Sequence, residues 1–260
     1  KHHAKGKLTA RERIDALLDP GSFNELEPYV THRSDDLFGG EKLSGDGVVT
    51  GFGTVEGRTI YVYAQDFTVM GGALGEMHGK KIAHVMDLAA AAGCPVVGMI
   101  DSGGARIQEG VRSLYGYAQI FQRNTRYSGV IPQISLVMGP CAGGAAYSPA
   151  VTDLIIMVEK QSFMFLTGPE VIKSVTGEVV DSENLGGADV HLGISGLAHL
   201  KTADDATALA LARHILGYLP ANNVENPPRL DSGDDPLRMD EALNHLVPAS
   251  PAEPYAMHDA

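Results

Sequence analysis

Two observations predict an α/β fold with helices packed against a mainly parallel sheet. Apolar β-prone runs alternate with helix-period segments along most of the chain. Three such runs lead through Gly-Gly-Ala into a helix-like stretch: Gly71-Gly72-Ala73 after Ile60-Tyr61-Val62-Tyr63, Gly103-Gly104-Ala105 after Val96 to Ile100, and Gly143-Gly144-Ala145 after Ile134 to Met138. The copies recur at roughly the length of a βαβ unit, about 30–40 residues, and read as repeats stacked in one domain. A strand that turns sharply through glycines into a helix leaves backbone N–H groups free at the helix start. Such groups suit a negative charge, in an enzyme often an oxyanion that forms only during reaction.

The elements follow in order. Residues 1–20 read as a short basic helix with Leu8, Ile14, Leu17 and Leu18 on one stripe, ended by Pro20-Gly21. Residues 47–65 read as a hairpin turning at Glu56-Gly57. A helix is expected over 74–92, with Ile82, Val85, Met86 and Ala89 inward and Gly93 at its C′ stop. Residues 95–100 read as a buried strand. The next helix is placed at 105–127 with Ile107, Val111, Leu114, Ala118 and Phe121 as its core face. A strand at 132–138 precedes a short helix at 144–148 stopped near Pro149, and two strands follow at 154–158 and 163–166. The last strong helix is expected over 203–219, started by Thr202 and Asp205. Seven of the fourteen prolines lie at or after Pro220, so the chain is divided into a domain over 1–225 and an extended linker or tail over 226–260.

Composition narrows the function. With 260 residues and 44% hydrophobic content, one sizeable core is affordable. A formal net charge of −12 argues against nucleic acid as the main partner, which needs a basic face. Two distant cysteines, Cys94 and Cys141, form neither a disulfide framework nor a zinc ribbon, which fits a reducing compartment such as cytoplasm or, in a eukaryote, the mitochondrial matrix. No apolar run approaches membrane-spanning length. A first residue of Lys1 rather than Met reads as a trimmed or fragment boundary.

Asp101-Ser102-Gly103-Gly104-Ala105-Arg106 is the sharpest segment. It reads as an oxyanion hole built from the amides around Gly103 to Ala105, or as a tight turn capped by Asp101 or Ser102. Ser102 as a protease-type nucleophile would require an all-β fold, and the helix pattern that follows speaks against it. Gly139 through Ala145 is a second cradle, in which Cys141 has no visible base and reads as a packed small residue. Gly71-Gly72-Ala73 is a third, open to ligand contact or to close helix–sheet packing. His78 and His84 are six apart, the wrong spacing for a zinc pair, and His191 and His199 read as structural; no metal site is expected. There is no Walker A pattern, and Gly51-Phe52-Gly53 is off the dinucleotide spacing. No carboxylate pair stands out, so the chemistry would rest on held charge and positioning.

The segments Gly45 to Gly51, Gln65 to Gly72, Asp101 to Gly110, Ser128 to Ile134, Gly139 to Pro149 and Thr167 to Ile172 resemble the carboxyltransferase β subunit of biotin-dependent acyl-CoA carboxylases, of the propionyl-CoA type. The likeness runs from Gly6 to Tyr255. It implies a crotonase-like spiral of ββα units, and the N-terminal, acyl-CoA-binding domain of a two-domain enzyme. It further implies a hexamer whose active site pairs this domain with the C-terminal domain of another subunit. The family's first oxyanion hole maps onto Gly103 and Gly104. Ala105, Arg106, Gly143, Gly144, Ala145, Gly71 and Gly72 would shape the thioester and pantetheine groove, although Arg106 reads better as a structural ion-pair partner. Biotin would arrive on a biotin carboxylase/carrier α subunit as co-substrate, with no cofactor bound directly. Carboxylase, transcarboxylase and decarboxylase remain open. So do a hydratase, which would want a carboxylate pair such as Glu76 and Glu109, and a non-catalytic CoA-binding fragment.

Overall fold

The computed structural model describes residues 2–34, 37–229 and 231–257, without the side chains of 37 and 38. Two compact units divide it, Lys1–Pro227 and Pro228–Ala260. Among its described residues the second holds one short helix, Leu243–Leu246, and turns closed by Asp and Ser side chains.

In the first unit, α1 (Ala10–Leu17) precedes β1 (Asn24–Leu26), and a hairpin of β2 (Val48–Val55) and β3 (Arg58–Gln65) leads to α2 (Glu76–Ala92). Then come β4 (Val96–Ser102), α3 (Val111–Tyr127), β5 (Gln133–Ala142), α4 (Gly144–Ala150), β6 (Leu154–Val158) and β7 (Phe163–Phe165). Three short helices, α5 (Pro169–Thr176), α6 (Ser182–Gly186) and α7 (Ala188–Gly193), lead to β8 (Leu200–Thr202) and α8 (Asp205–Leu216). The sheet order is β1-β2-β3-β4-β5-β6-β8, with β7 added to the end of β5. β1, β2 and β3 pair antiparallel, and every later pairing is parallel. The predicted crotonase-like α/β spiral is therefore what this sequence forms.

Alternation along the strands sends side chains to two faces. Val96, Ile100, Val137 and Cys141 join α2, α3 and α4 in one core, while Val97, Met99, Leu136 and Met138 join Ile14, Leu17, Leu209 and Ala212 of α1 and α8 in the other. No helix among the described residues is long and apolar enough to cross a membrane.

Several local expectations are corrected. The described part of residues 1–20 holds a 3-10 turn, His3–Lys5, closed by a left-handed Gly6, and one α-helix of eight residues begun by a Thr9–Glu12 capping box. The stretch read as one helix over 105–127 breaks at Gly110, whose φ of 55° and ψ of −129° cannot continue a helix. Most of its expected core face points outward: Ile107, Val111 and Leu114 are 87%, 79% and 60% exposed and Ala118 is exposed, while Phe121 packs against the core as expected, and Ser113, Gly116, Tyr117, Ile120 and Asn124 are buried. The strand at 132–138 continues to Ala142. Pro149 lies inside α4 rather than stopping it; the amide it lacks is replaced at the Ala145 carbonyl by the Cys141 thiol, 3.1 Å away. The last helix begins after Asp204, whose carboxylate caps the Thr207 amide, and Thr202 ends β8 instead.

Candidate functional site

The three glycine turns leave the carboxyl ends of β3, β4 and β5, where parallel sheets present their loops to ligands. They are stitched together. The Gly103 amide donates to the Gly71 carbonyl at 2.8 Å, Leu74 N to Gly104 O at 2.9 Å, and Arg106 N to Leu74 O at 2.9 Å. This makes a short parallel bridge between Leu74 and Ala105. Ser102 pairs with Cys141, and a Cβ on Gly104 would stand 2.8 Å from the Ala142 carbonyl. Gly104 also has φ +107°, a conformation that favours glycine. At Gly72, φ is +66°, and any side chain would collide with the Asp101 carbonyl.

These bonds redistribute the expected donors. Gly103 N–H is committed to Gly71 and Gly104 N–H to the Ser102 hydroxyl at 3.1 Å, so neither is free in this conformation. Gly143 N–H bonds Phe165 O. The amides of Ala105, Gly144 and Ala145 have no hydrogen-bond partner among the described residues. Ala105 and Gly144 are partly exposed. They lie on the two turns that meet at the Gly104–Ala142 contact.

Arg106 is fully buried and touches no open surface. Its Nη1 pairs with Asp46 at 2.6 Å and Glu109 at 2.8 Å, and its Nη2 donates to Ala73 O at 3.0 Å. The sequence-based assignment of Arg106 to substrate is thereby corrected to the ion-pair alternative. Burial pushes the Asp46 carboxyl up, with Arg106 pulling it back. His78 is also buried. Its Nδ1 faces the Asp46 carbonyl at 3.0 Å and its Nε2 the Gln65 amide at 3.2 Å, while burial and the neighbouring cations Arg106 and Lys81 hold its pKa well below the usual imidazole value.

A second buried cluster lies under the next turn. Asp101 Oδ2 accepts from Lys7 at 2.6 Å and from Arg13 at 3.0 Å, and Arg13 reaches Asp205 at 2.8 Å and Met138 O at 2.9 Å. Sequence reading anticipated Arg106 as an ion-pair partner but not Asp46, which lies 60 residues away, and it missed the Asp101 cluster, whose members are farther apart still. The local signals were Glu109, three residues after Arg106, and Asp46, set between Gly45 and Gly47 and itself at φ 47°.

The remaining candidates have ordinary partners. Cys141 is buried, and desolvation drives its thiol pKa up, away from thiolate chemistry. Ser102 has no histidine partner among the described residues. His84 bonds Glu27, His191 bonds Met164 O and Ser195, and His199 accepts from Ile155 N. Glu109 is held by Arg106 and the Glu76 amide, and Glu76 by Lys80 with Arg33 and Arg112 close by. Both carboxylates named for a hydratase are thus tied up in ion pairs. A cavity of about 630 Å³ lies elsewhere, between Lys5, Lys7, Phe67, Pro140, Lys160 and Phe163, and none of the selected glycines lines it.

The chain belongs to the carboxyl transferase domain family, whose profile matches residues 1–260. It is 57% identical to the carboxyltransferase subunit of propionyl-CoA carboxylase from Haloferax mediterranei, over 99% of this chain and 50% of that protein. It is 58% identical to the methylmalonyl-CoA decarboxylase α subunit of Veillonella parvula, over 100% of this chain and 51% of that one. Among solved structures, transcarboxylase 12S, a hexamer crystallised with hydrolysed methylmalonyl-coenzyme A, superposes with a TM-score of 0.89 at 47% identity, over 99% of this chain and 51% of its own. The chain therefore spans about half the length of the relatives it matches.

Proposed function

We propose that this chain is the acyl-CoA half of a biotin-dependent carboxyltransferase that stabilises the enolate of a short acyl-CoA, with Ala105 and Gly144 supplying the donors. The observation that carries the reading is that these amides remain unpartnered on two abutting turns, in a chain of the carboxyl transferase family. Removing the proton α to a thioester carbonyl places negative charge on its oxygen. Two fixed N–H dipoles facing that oxygen lower the barrier without reorganising. Gly104 keeps its place as the residue whose conformation aims the Ala105 amide. Gly103 closes the turn onto Gly71, and Gly71, Gly72, Gly143 and Ala145 shape the groove.

The residues around the turns fit a reaction whose base comes from elsewhere. Glu76 and Glu109 are ion-paired, and His78 is buried with both nitrogens engaged. Carboxybiotin, delivered by a partner α subunit, would supply the carboxyl group and a basic ureido nitrogen; this chain's part is to bind the thioester, orient its α carbon and hold the oxyanion. The same half-site serves a decarboxylase or a transcarboxylase, as the names of the relatives illustrate. A hexamer in the cytoplasm, or in the mitochondrial matrix of a eukaryote, completes the reading.

Ala105→Pro tests it. Proline deletes a donor that no bond of the fold uses. In the natural-length protein kcat for propionyl-CoA-dependent carboxyl transfer is expected to fall by about 10²-fold or more, the scale of one lost oxyanion donor. An unchanged rate in a variant with an unchanged melting temperature removes Ala105 from the hole.

A further inference from the structure

We infer that Arg106 is a positioning residue: its guanidinium, clamped between Asp46, Glu109 and the Ala73 carbonyl, fixes the direction of the neighbouring Ala105 amide. The inference rests on the enolate reading above. Ala105 lies in no strand or helix and is held by the isolated parallel bridge to Leu74. Its two chain neighbours are tied to Leu74, Gly104 through its carbonyl and Arg106 through its amide, both at 2.9 Å. Those bonds set where the turn sits only if the 73–74 segment is itself held. The guanidinium holds it, through Nη2 to Ala73 O at 3.0 Å.

The anchor is rigid on its far side as well. Asp46 takes Arg106 on Oδ1 at 2.6 Å and the His78 amide on Oδ2 at 2.9 Å. The His78 ring returns to the Asp46 carbonyl and reaches Gln65 at the end of β3. Gln65 Oε1 then accepts the Asp101 amide of β4 at 3.3 Å. Glu109, the third ligand of the guanidinium, also accepts the Glu76 amide at the start of α2, at 2.7 Å. One buried cation thus ties the 73–74 turn, the 105–106 turn, the first turn of α2 and the end of β3 into a single body. Lysine cannot replace it, because an ammonium lacks the planar fork that serves three acceptors at once.

The test is steady-state kinetics of the natural-length protein carrying Arg106→Lys, with Glu109→Gln as a milder variant should the lysine variant fail to fold. A positioning role predicts a fall in kcat of about tenfold or more, because misplacing a reacting group by an ångström or less is costly. KM for propionyl-CoA should change less than about twofold, since no atom of Arg106 contacts the substrate. Glu109→Gln should lower kcat in the same sense, and its effect should be non-additive with Arg106→Lys, as for residues of one network. Amide hydrogen exchange should rise in peptides covering 102–110 in both variants, a readout independent of turnover. A KM effect alone would return Arg106 to the substrate and overturn the inference. So would unchanged kcat with unchanged exchange. If the wild-type protein binds no acyl-CoA while exchange at 102–110 still responds to both variants, the enolate reading fails and the clamp stands as an anchor of the turn.

Discussion

Lys81 shows how much a single buried group can weigh on this fold. It lies within α2 at 1% exposure and donates its ammonium to the carbonyls of Gly45 at 3.0 Å and Val48 at 2.6 Å. Burial lowers its pKa from 10.5 to about 8, against the pull of Glu25, Glu27 and Asp46. Between those two values the unfolded chain binds a proton that the folded chain releases, so stability rises with pH across the window. Unfolding free energies of the wild type from urea titrations should therefore climb from about pH 8 to about pH 10.5, by an amount of order 3 kcal/mol at 1.36 kcal/mol per unit, while those of Lys81→Met lack this component. Parallel curves for the two proteins would show that Lys81 is not the source. Reading at this scale divides sharply by residue type. The glycines of the turns were legible because a glycine pair at a strand end has few other uses. Which amide stays free was not, because the Gly103–Gly71 bond joins residues 32 apart, and the ions beneath the turns are farther apart still.

Helix periodicity located α2 and α3 but misjudged which face of α3 is inside. The buried face carries the core side chains Tyr117 and Ile120 interleaved with Gly116, Ser113 and Asn124, which serve closeness and polar pairing. Asn124 bonds Gln133 and Ser148, and a Cβ added to Gly79 of α2 would stand 2.7 Å from Gly116 Cα. The two helices therefore cross backbone to backbone at this glycine pair, and their approach sets where Leu74 and the 73–75 turn sit above the sheet. Gly79→Leu should be destabilising by roughly 1–3 kcal/mol or more, the scale of overpacking a close-packed contact. Thermal melting measures it, and a melting temperature within a degree of wild type would contradict the close crossing. The strands needed no such correction. Their apolar runs are continuous where both faces are covered, as in β4 and β5, and the hairpin of β2 and β3 turns at the predicted Glu56-Gly57. The stretch from 169 to 202 was illegible because each of α5, α6, α7 and β8 is too short to display a period.

On the scale of the whole molecule, the outward stripe of α3 and the shallow turns belong to one argument. Ile107, just before α3, and Val111 and Leu114 on it are exposed apolar residues beginning one residue beyond Arg106, and Tyr147, four residues after Gly143, and Leu166, whose carbonyl lies near Gly143, stand exposed as well. A face of this kind seldom stays in water and reads as an interaction surface. Ala105 and Gly144 are partly exposed residues, and a donor open to water stabilises an oxyanion far less than one in a closed, low-dielectric site. On the carboxyltransferase reading proposed above, the half of each relative that this chain does not match is what would close the site. Residues 1–260 alone should therefore bind propionyl-CoA weakly and yield no methylmalonyl-CoA from free carboxybiotin, whereas the natural-length protein should yield it readily. Calorimetry with propionyl-CoA against free CoA checks the binding half of this expectation, and mass spectrometry of the acyl-CoA pool checks the chemical half. Methylmalonyl-CoA formed by the short chain at a rate near that of the natural-length protein would mean that the two turns need no cover, and the half-site argument would fall with it.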